Sequence, residues 1–95
     1  MKLNNTSTKL NYFFKSIASR KRIEILILLS ENKNLSLKDI SEKINTNIQN
    51  TSLHTFKLLH SGLIAKKQNG LKVEHILTGR GDLVVNFIKS IDKNL

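Results

Sequence analysis

The stretch from Leu35 to Gly62 constrains this chain more than any other part of it. It reads as two short amphipathic helices with only three residues between them. Ser36 and Asp39 stand at the spacing of a capping box, in which an N-cap hydroxyl and a first-turn carboxylate each take the other's backbone N–H. Leu35 can staple onto Ile40 just outside it. Leu37, Ile40 and Ile44 then fall on one inner face. Asn45, Thr46 and Asn47 break the pattern. A second helix is predicted from about Ile48 to Ser61, closed by Gly62, the residue best suited to the left-handed position after a helix.

The flanking segments complete the layout. Ser19 is a plausible N-cap for a helix from Arg20 to about Glu31, and its interior, IEILILL, is apolar nearly all round, as expected of a central buried helix. Three isoleucines leave a strand reading open for the same run. The continuous length and the basic first turn favour the helix, although that charge opposes the helix dipole. Before it, Leu10, Phe13, Phe14 and Ile17 predict a helix beginning after Thr8, with residues 1–7 flexible. After Gly62 come two predicted strands, Leu63 to Gln68 and Leu71 to Leu77. Asn69-Gly70 between them is a strong signal for a type I′ hairpin. Thr78 can cap a last helix over 79–95, whose apolar stripe is Leu83, Val84, Phe87, Ile88, Ile91 and Leu95.

At 95 residues the chain is expected to form a single domain, and 39% hydrophobic residues suit a soluble globular one. The charge is lopsided. Sixteen Lys and Arg against seven Asp and Glu leave a net charge of +9, which calls for a polyanionic partner. There is no cysteine, so disulfides, thiolate metal sites and Cys nucleophiles are excluded. The N-terminal MKLNNTSTKL lacks the apolar stretch of a signal peptide, and no apolar run is long enough for a membrane span. An intracellular, cytoplasmic location associated with the nucleoid is expected. The last helix carries three cations against two carboxylates, a weak attraction for a membrane surface, so no membrane partner is expected.

These elements describe a fold that is mainly α with a small β-hairpin wing: a winged helix-turn-helix of about five helices and a two- or three-stranded antiparallel sheet. Advancing about 100° per residue along the helix of 48–61 places Ile48, Ser52, Thr55 and Leu59 inward, flanked by Thr51, Phe56 and Leu58. The opposite arc holds Gln49, Asn50, Leu53, His54 and Lys57. Gln and Asn can pair with the N6 and N7 edge of adenine, Leu53 could touch a thymine methyl, and His54 and Lys57 could contact guanine or phosphate. A solvated polar face is the plain alternative for such an arc. The turn before it and the basic hairpin after it favour DNA. Asn47 opens that helix, Lys38 lies in the first turn of the helix before it, and Lys66, Lys67 and Lys72 surround the hairpin tip, where they could hold phosphates.

The sequences SIASRKRIEILILLSE (16–31) and LSLKDISEKINTNIQNTSLHTFKLLHSGLI (35–64) resemble the DNA-binding core of the ArsR and MarR-type winged-helix regulators. ILTGRG (76–81) resembles the end of the wing in related small archaeal and bacterial proteins. Within the resemblance, Arg22 matches the Arg that opens the buried helix, and Gly62-Leu63-Ile64 matches the turn into the wing. Gln49, Asn50 and His54 fall in the recognition helix. The metal-sensor ligands of ArsR-type proteins are missing, since there is no Cys and the last helix contains no His. His54, His60 and His75 do not form a ligand spacing either, so no metal and no cofactor is expected. No phosphate-binding Gly loop, Ser elbow or carboxylate pair points to an enzyme.

The resemblance implies a sequence-specific regulator of transcription that binds double-stranded DNA. A homodimer is expected, because Leu10, Phe13, Phe14 and Ile17 (helix 8–18) with Val84, Phe87, Ile88 and Ile91 exceed what one small core needs. The alternatives are an architectural, weakly specific DNA-binding protein and a protein-interaction module. No small-molecule effector is legible.

Overall fold

The computed structural model describes residues 2–93; Leu95, counted above in the last apolar stripe, lies outside them. The order of elements is α1 (Leu3–Ile17), α2 (Arg20–Glu31), α3 (Leu37–Lys43), α4 (Ile48–His60), β1 (Ile64–Asn69), β2 (Lys72–Leu77) and α5 (Gly79–Asp92). Five helices and a two-stranded antiparallel sheet make a winged helix-turn-helix. Leu35 adds an isolated antiparallel bridge to His75, the start of a third strand that goes no further.

The capping signals act as their chemistry dictates. The Ser19 hydroxyl accepts from the Arg22 N–H. Ser36 and Asp39 form the reciprocal box, each at 3.1 Å, and the Thr78 hydroxyl accepts from the Gly81 N–H. The turn between α3 and α4 is a Schellman motif: Asn45 takes the left-handed conformation at φ 54, and the Thr46 N–H reaches the Ser41 carbonyl at 3.0 Å. Asn47 then caps α4, its side chain accepting from the Asn50 N–H at 2.8 Å. The same motif ends α4 one residue earlier than expected, at His60. Gly62 sits at φ 76, and the Leu63 N–H bonds to the Leu58 carbonyl at 3.0 Å.

The core forms around α2. Ile25, Leu26, Ile40, Leu58 and Leu63 lose all contact with solvent, with Leu29, Ile44, Ile64, Val84 and Val85 around them. The run IEILILL is therefore helical, and the strand alternative for it is set aside. Leu35 and the staple position Ile40 both join this cluster, as do Phe13 and Ile17 from α1. Truncating one of the fully buried leucines to Ala would cost roughly 2–5 kcal/mol.

Three expectations need correction. First, α1 starts at Leu3, not after Thr8, so residues 3–7 continue the helix. The Ser7 and Thr8 hydroxyls bond back to the Asn4 carbonyl within it, so these small polar residues ride along rather than break it. Second, the hairpin is not a type I′ turn about Asn69-Gly70. Asn69 pairs with Lys72, which leaves Gly70 and Leu71 as the central residues, and of these only Gly70 has positive φ (64), the pattern of a type II′ turn. The strands accordingly run 64–69 and 72–77. Third, Val84 faces the interior of the chain and is itself part of the core. It is the floor, not the rim, of the apolar stripe on α5.

Gly81 locks α5 to the root of the hairpin. A Cβ there would stand 2.2 Å from the Leu63 carbonyl oxygen and 2.7 Å from Leu77 Cδ1, so no larger residue fits. Thr78, one turn earlier, donates its hydroxyl to the Gly62 carbonyl at 2.7 Å, with the Leu63 carbonyl at 3.0 Å.

Candidate nucleic-acid interface

α4 is positioned by its own buried face, and that face is not the one its hydrophobicity suggests. Thr51, Thr55 and Leu58 are buried, whereas Ile48, Ser52 and Phe56 are exposed. Two threonines can replace apolar residues here because each hydroxyl bonds back within the helix. Thr51 donates to the Asn47 carbonyl at 2.8 Å, and Thr55 to that of Ser52 at 3.0 Å. Only their methyl groups and backbone then meet the core. The helix is rotated accordingly, and the residues pointing furthest from the core are Gln49, Leu53, Phe56 and His60, all exposed.

The expected contact residues divide on this geometry. Gln49, Asn50, Leu53 and Lys57 are exposed, with Asn50 and Lys57 toward one edge of the arc. His54 is not part of it. Arg22 Nε donates to His54 Nδ1 at 3.3 Å, while the same guanidinium donates through its Nη1 to the Ser16 carbonyl at 2.9 Å and that of Lys15 at 3.3 Å. This bond needs a neutral imidazole with its proton on Nε2. Partial burial, followed by the charges of Arg22, Lys57 and Lys21, holds His54 below the usual histidine range. Asn47 spends its side-chain oxygen on the cap.

The lysines of the hairpin do not form one cluster. Cross-strand partners share a face, so Lys66 lies with His75, and Lys67 lies with Glu74 on the other side. Lys66 lines a groove of about 240 Å³ between α4 and the hairpin, walled also by Leu37, Ser52, Phe56 and Val73. Lys72 reaches Asp39 at 3.8 Å across to α3, with both side chains about half exposed. The Ser36 hydrogen bonds, backbone before side chain, hold Asp39 below the usual carboxylate range, with a smaller contribution from Lys72. Lys38 is exposed in the first turn of α3.

His75 is a structural residue. It is buried, its backbone N–H donates to the Leu35 carbonyl at 2.8 Å, and its ring Nδ1 lies 3.0 Å from the same oxygen. Burial lowers its pKa more than the Leu35 carbonyl raises it. At the hairpin tip, the Gln68 amide donates to the Gly70 carbonyl at 2.7 Å, and Leu71 projects fully into solvent.

A second surface is apolar. Leu10, Phe13, Phe14, Ile17, Leu83, Val84 and Phe87 line an apolar groove of about 400 Å³ between α1 and α5, with Arg80 at its margin. Phe13 and Phe14 meet edge to face at 5.6 Å. Phe14, Leu83, Phe87 and Ile91 all remain more than 40% exposed, a contiguous patch that one chain leaves uncovered. Leu83, part of the predicted apolar stripe but not of the expected interface, belongs in this set. Among the described residues no helix is long and apolar enough to cross a membrane. No group of His, Cys, Asp or Glu among them could hold a metal ion.

Comparison with known proteins follows the same lines. No curated protein matches the sequence. Among solved structures, reduced HlyU from Vibrio cholerae superposes with a TM-score of 0.79 at 21% identity, covering 94% of each chain. The homodimeric winged helix-turn-helix DNA-binding domain Mb0332 from Mycobacterium bovis gives 0.83 at 16% identity over 95% of this chain and 83% of that one. MepR from S. aureus, solved as a DNA complex, gives 0.78 at 16% identity over 96% and 78%. These likenesses establish the fold. The sequence profile of the MarR family matches residues 19–70, from the cap of α2 to the hairpin tip, and the chain belongs to that family.

Proposed function

We propose that this chain is a sequence-specific transcription regulator that grips double-stranded DNA as a homodimer. α4 enters the major groove with Gln49, Asn50, Leu53 and Lys57, and the wing over 64–77 lies on the backbone or the minor groove with Lys66, Lys67 and Lys72. α1 and α5 supply the dimer interface through Leu10, Phe13, Phe14, Ile17, Phe87, Ile88 and Ile91 around the floor at Val84. The site acts by binding and not by catalysis, on nucleoid DNA in the cytoplasm.

The observation that carries this reading is the outward face of α4, whose amide and apolar side chains stay exposed, set beside a basic hairpin on a chain of net charge +9. Family membership supports it, as does the fold it shares with a protein solved on DNA and with a homodimeric DNA-binding domain. In a symmetric dimer, two recognition helices about one DNA turn apart, roughly 34–36 Å, read a palindrome.

Selection from random duplex DNA at about 150 mM salt tests this, because nonspecific phosphate binding weakens steeply with salt. An enriched palindrome with half-sites about one turn apart is expected. Retention without any enriched motif would instead make the chain an architectural DNA binder, and no retention would remove DNA as its partner.

A further inference from the structure

The arc of α4 that points away from the core is nearly free of charge. Gln49, Leu53, Phe56 and His60 recur at a spacing of four, three and four residues, which keeps them on one stripe of the helix. Leu53 is 61% and Phe56 64% exposed, and neither packs against the core cluster. Phe56 is steadied from both sides: its ring stacks on His60 at 6.2 Å and 15°, and it walls the groove that Val73 and Lys66 close from the hairpin. Two large apolar side chains exposed side by side on a helix face mark a contact surface.

What such a stripe can recognise follows from the groove edges. Guanine presents two acceptors in the major groove and is best matched by Arg or Lys, but α4 contains no Arg, and its one Lys lies at the edge of the arc. Phosphate needs charge or hydrogen-bond donors, which Leu53 and Phe56 lack. The one apolar group that any base pair offers there is the C5-methyl of thymine. We propose that α4 reads its half-site through thymine methyl groups, with Leu53 and Phe56 as the specificity-determining side chains and Gln49 on a neighbouring adenine. This rests on the reading of α4 as the recognition helix and names the class of sequence it selects, a half-site of A·T pairs with thymines placed under two successive turns of the helix.

The test removes the methyl group and nothing else from the base edge. Random duplex pools are made once with thymine and once with deoxyuridine, and the full-length protein is selected against each. The winning thymine duplex is then compared with its uracil twin. Burying one methyl is worth roughly a fourfold change in affinity, so the twin should bind several-fold more weakly for each methyl contacted. Leu53→Ala and Phe56→Ala should each shrink the thymine-to-uracil ratio toward one. Lys67→Ala should weaken both duplexes and leave the ratio unchanged. Both apolar side chains are exposed, so their truncation leaves the core intact. Equal affinity for the twins, or a ratio indifferent to Leu53 and Phe56, would overturn the inference while leaving DNA binding in place. Failure to bind either pool would overturn both.

Discussion

α4 and α5 begin alike and end as different surfaces. Each is an amphipathic helix of 13 or 14 residues, opened by a side-chain cap and laid against the same core. α4 buries two threonines and a leucine and turns outward a stripe of amide, aliphatic and aromatic groups. α5 buries Gly81, Val84 and Val85 and turns outward Leu83, Phe87 and Ile91 beside the aromatic face of α1. Burial in the monomer is nearly the same for both, so the inward faces do not distinguish their roles. The surplus does. A mixed polar and apolar stripe suits the edges of bases, whereas a continuous apolar patch suits another protein surface.

The largest expected effect lies at the inward face of α5. Gly81→Ala forces a methyl onto the Leu63 carbonyl and Leu77, and should cost about 3 kcal/mol, read as a lower denaturant midpoint. If the midpoint is unchanged, α5 is not clamped to the hairpin root and its outward face is not fixed either. The next effect belongs to the outward face. Phe14→Asp with Phe87→Asp should give a folded monomer by sedimentation, with affinity for a palindromic site down roughly 100-fold through loss of the second grip. A dimer that persists would mean that the apolar patch serves something else.

On α4 the expected changes are smaller and selective. Gln49→Ala should lower preference for the selected site about tenfold, within the 1–3 kcal/mol of a bidentate base contact, and leave affinity for random DNA nearly unchanged. A drop that is equal on both kinds of DNA would make Gln49 a general contact. The smallest effect concerns pH. The folded pKa of His54 lies below its unfolded value of about 6.5, so the unfolded chain takes up that proton first. The stability that His54 contributes is present above that value and is lost as pH falls through the folded pKa; His75 has the same sign. Denaturant midpoints at about pH 7.5 and 5.5 should therefore differ, and His54→Gln, which keeps an acceptor for Arg22, should narrow the gap. A gap that His54→Gln leaves unaltered would place the titration elsewhere.

What was legible in the sequence was what is local. Ser19, Ser36 with Asp39, Thr78 and Gly62 announce helix ends because each acts on backbone groups within three or four residues of itself. The rotation of α4 was not legible. The helical pattern centres the inner face on Ile48, Ser52, Thr55 and Leu59 with Thr51 at its flank, whereas bonds to the Asn47 and Ser52 carbonyls let Thr51 join Thr55 in the core. Relative to that reading the structure turns His54 inward and Ile48, Ser52 and Phe56 outward. The hairpin turn lies one residue later than the local signal places it. Asn69-Gly70 is a good turn pair in isolation, but Asn69 joins the ladder opposite Lys72, and the turn is made by Gly70 and Leu71 with positive φ at Gly70 alone. The contact between Arg22 and His54 spans 32 residues, and no local signal carries it.

That contact has a mechanical meaning. One guanidinium joins the end of α1 to the middle of α4 while rooted in the first turn of α2. A guanidinium is planar and its donors stand at set angles, so it behaves as a bracket rather than a tether. In a symmetric pair built on α1, the bracket sets how far apart the two α4 helices stand. A lysine in place of Arg22 would keep the charge and lose the angle. Each protomer would still hold its half-site, but the pair would accept half-sites at several spacings: it would keep its grip and lose its ruler.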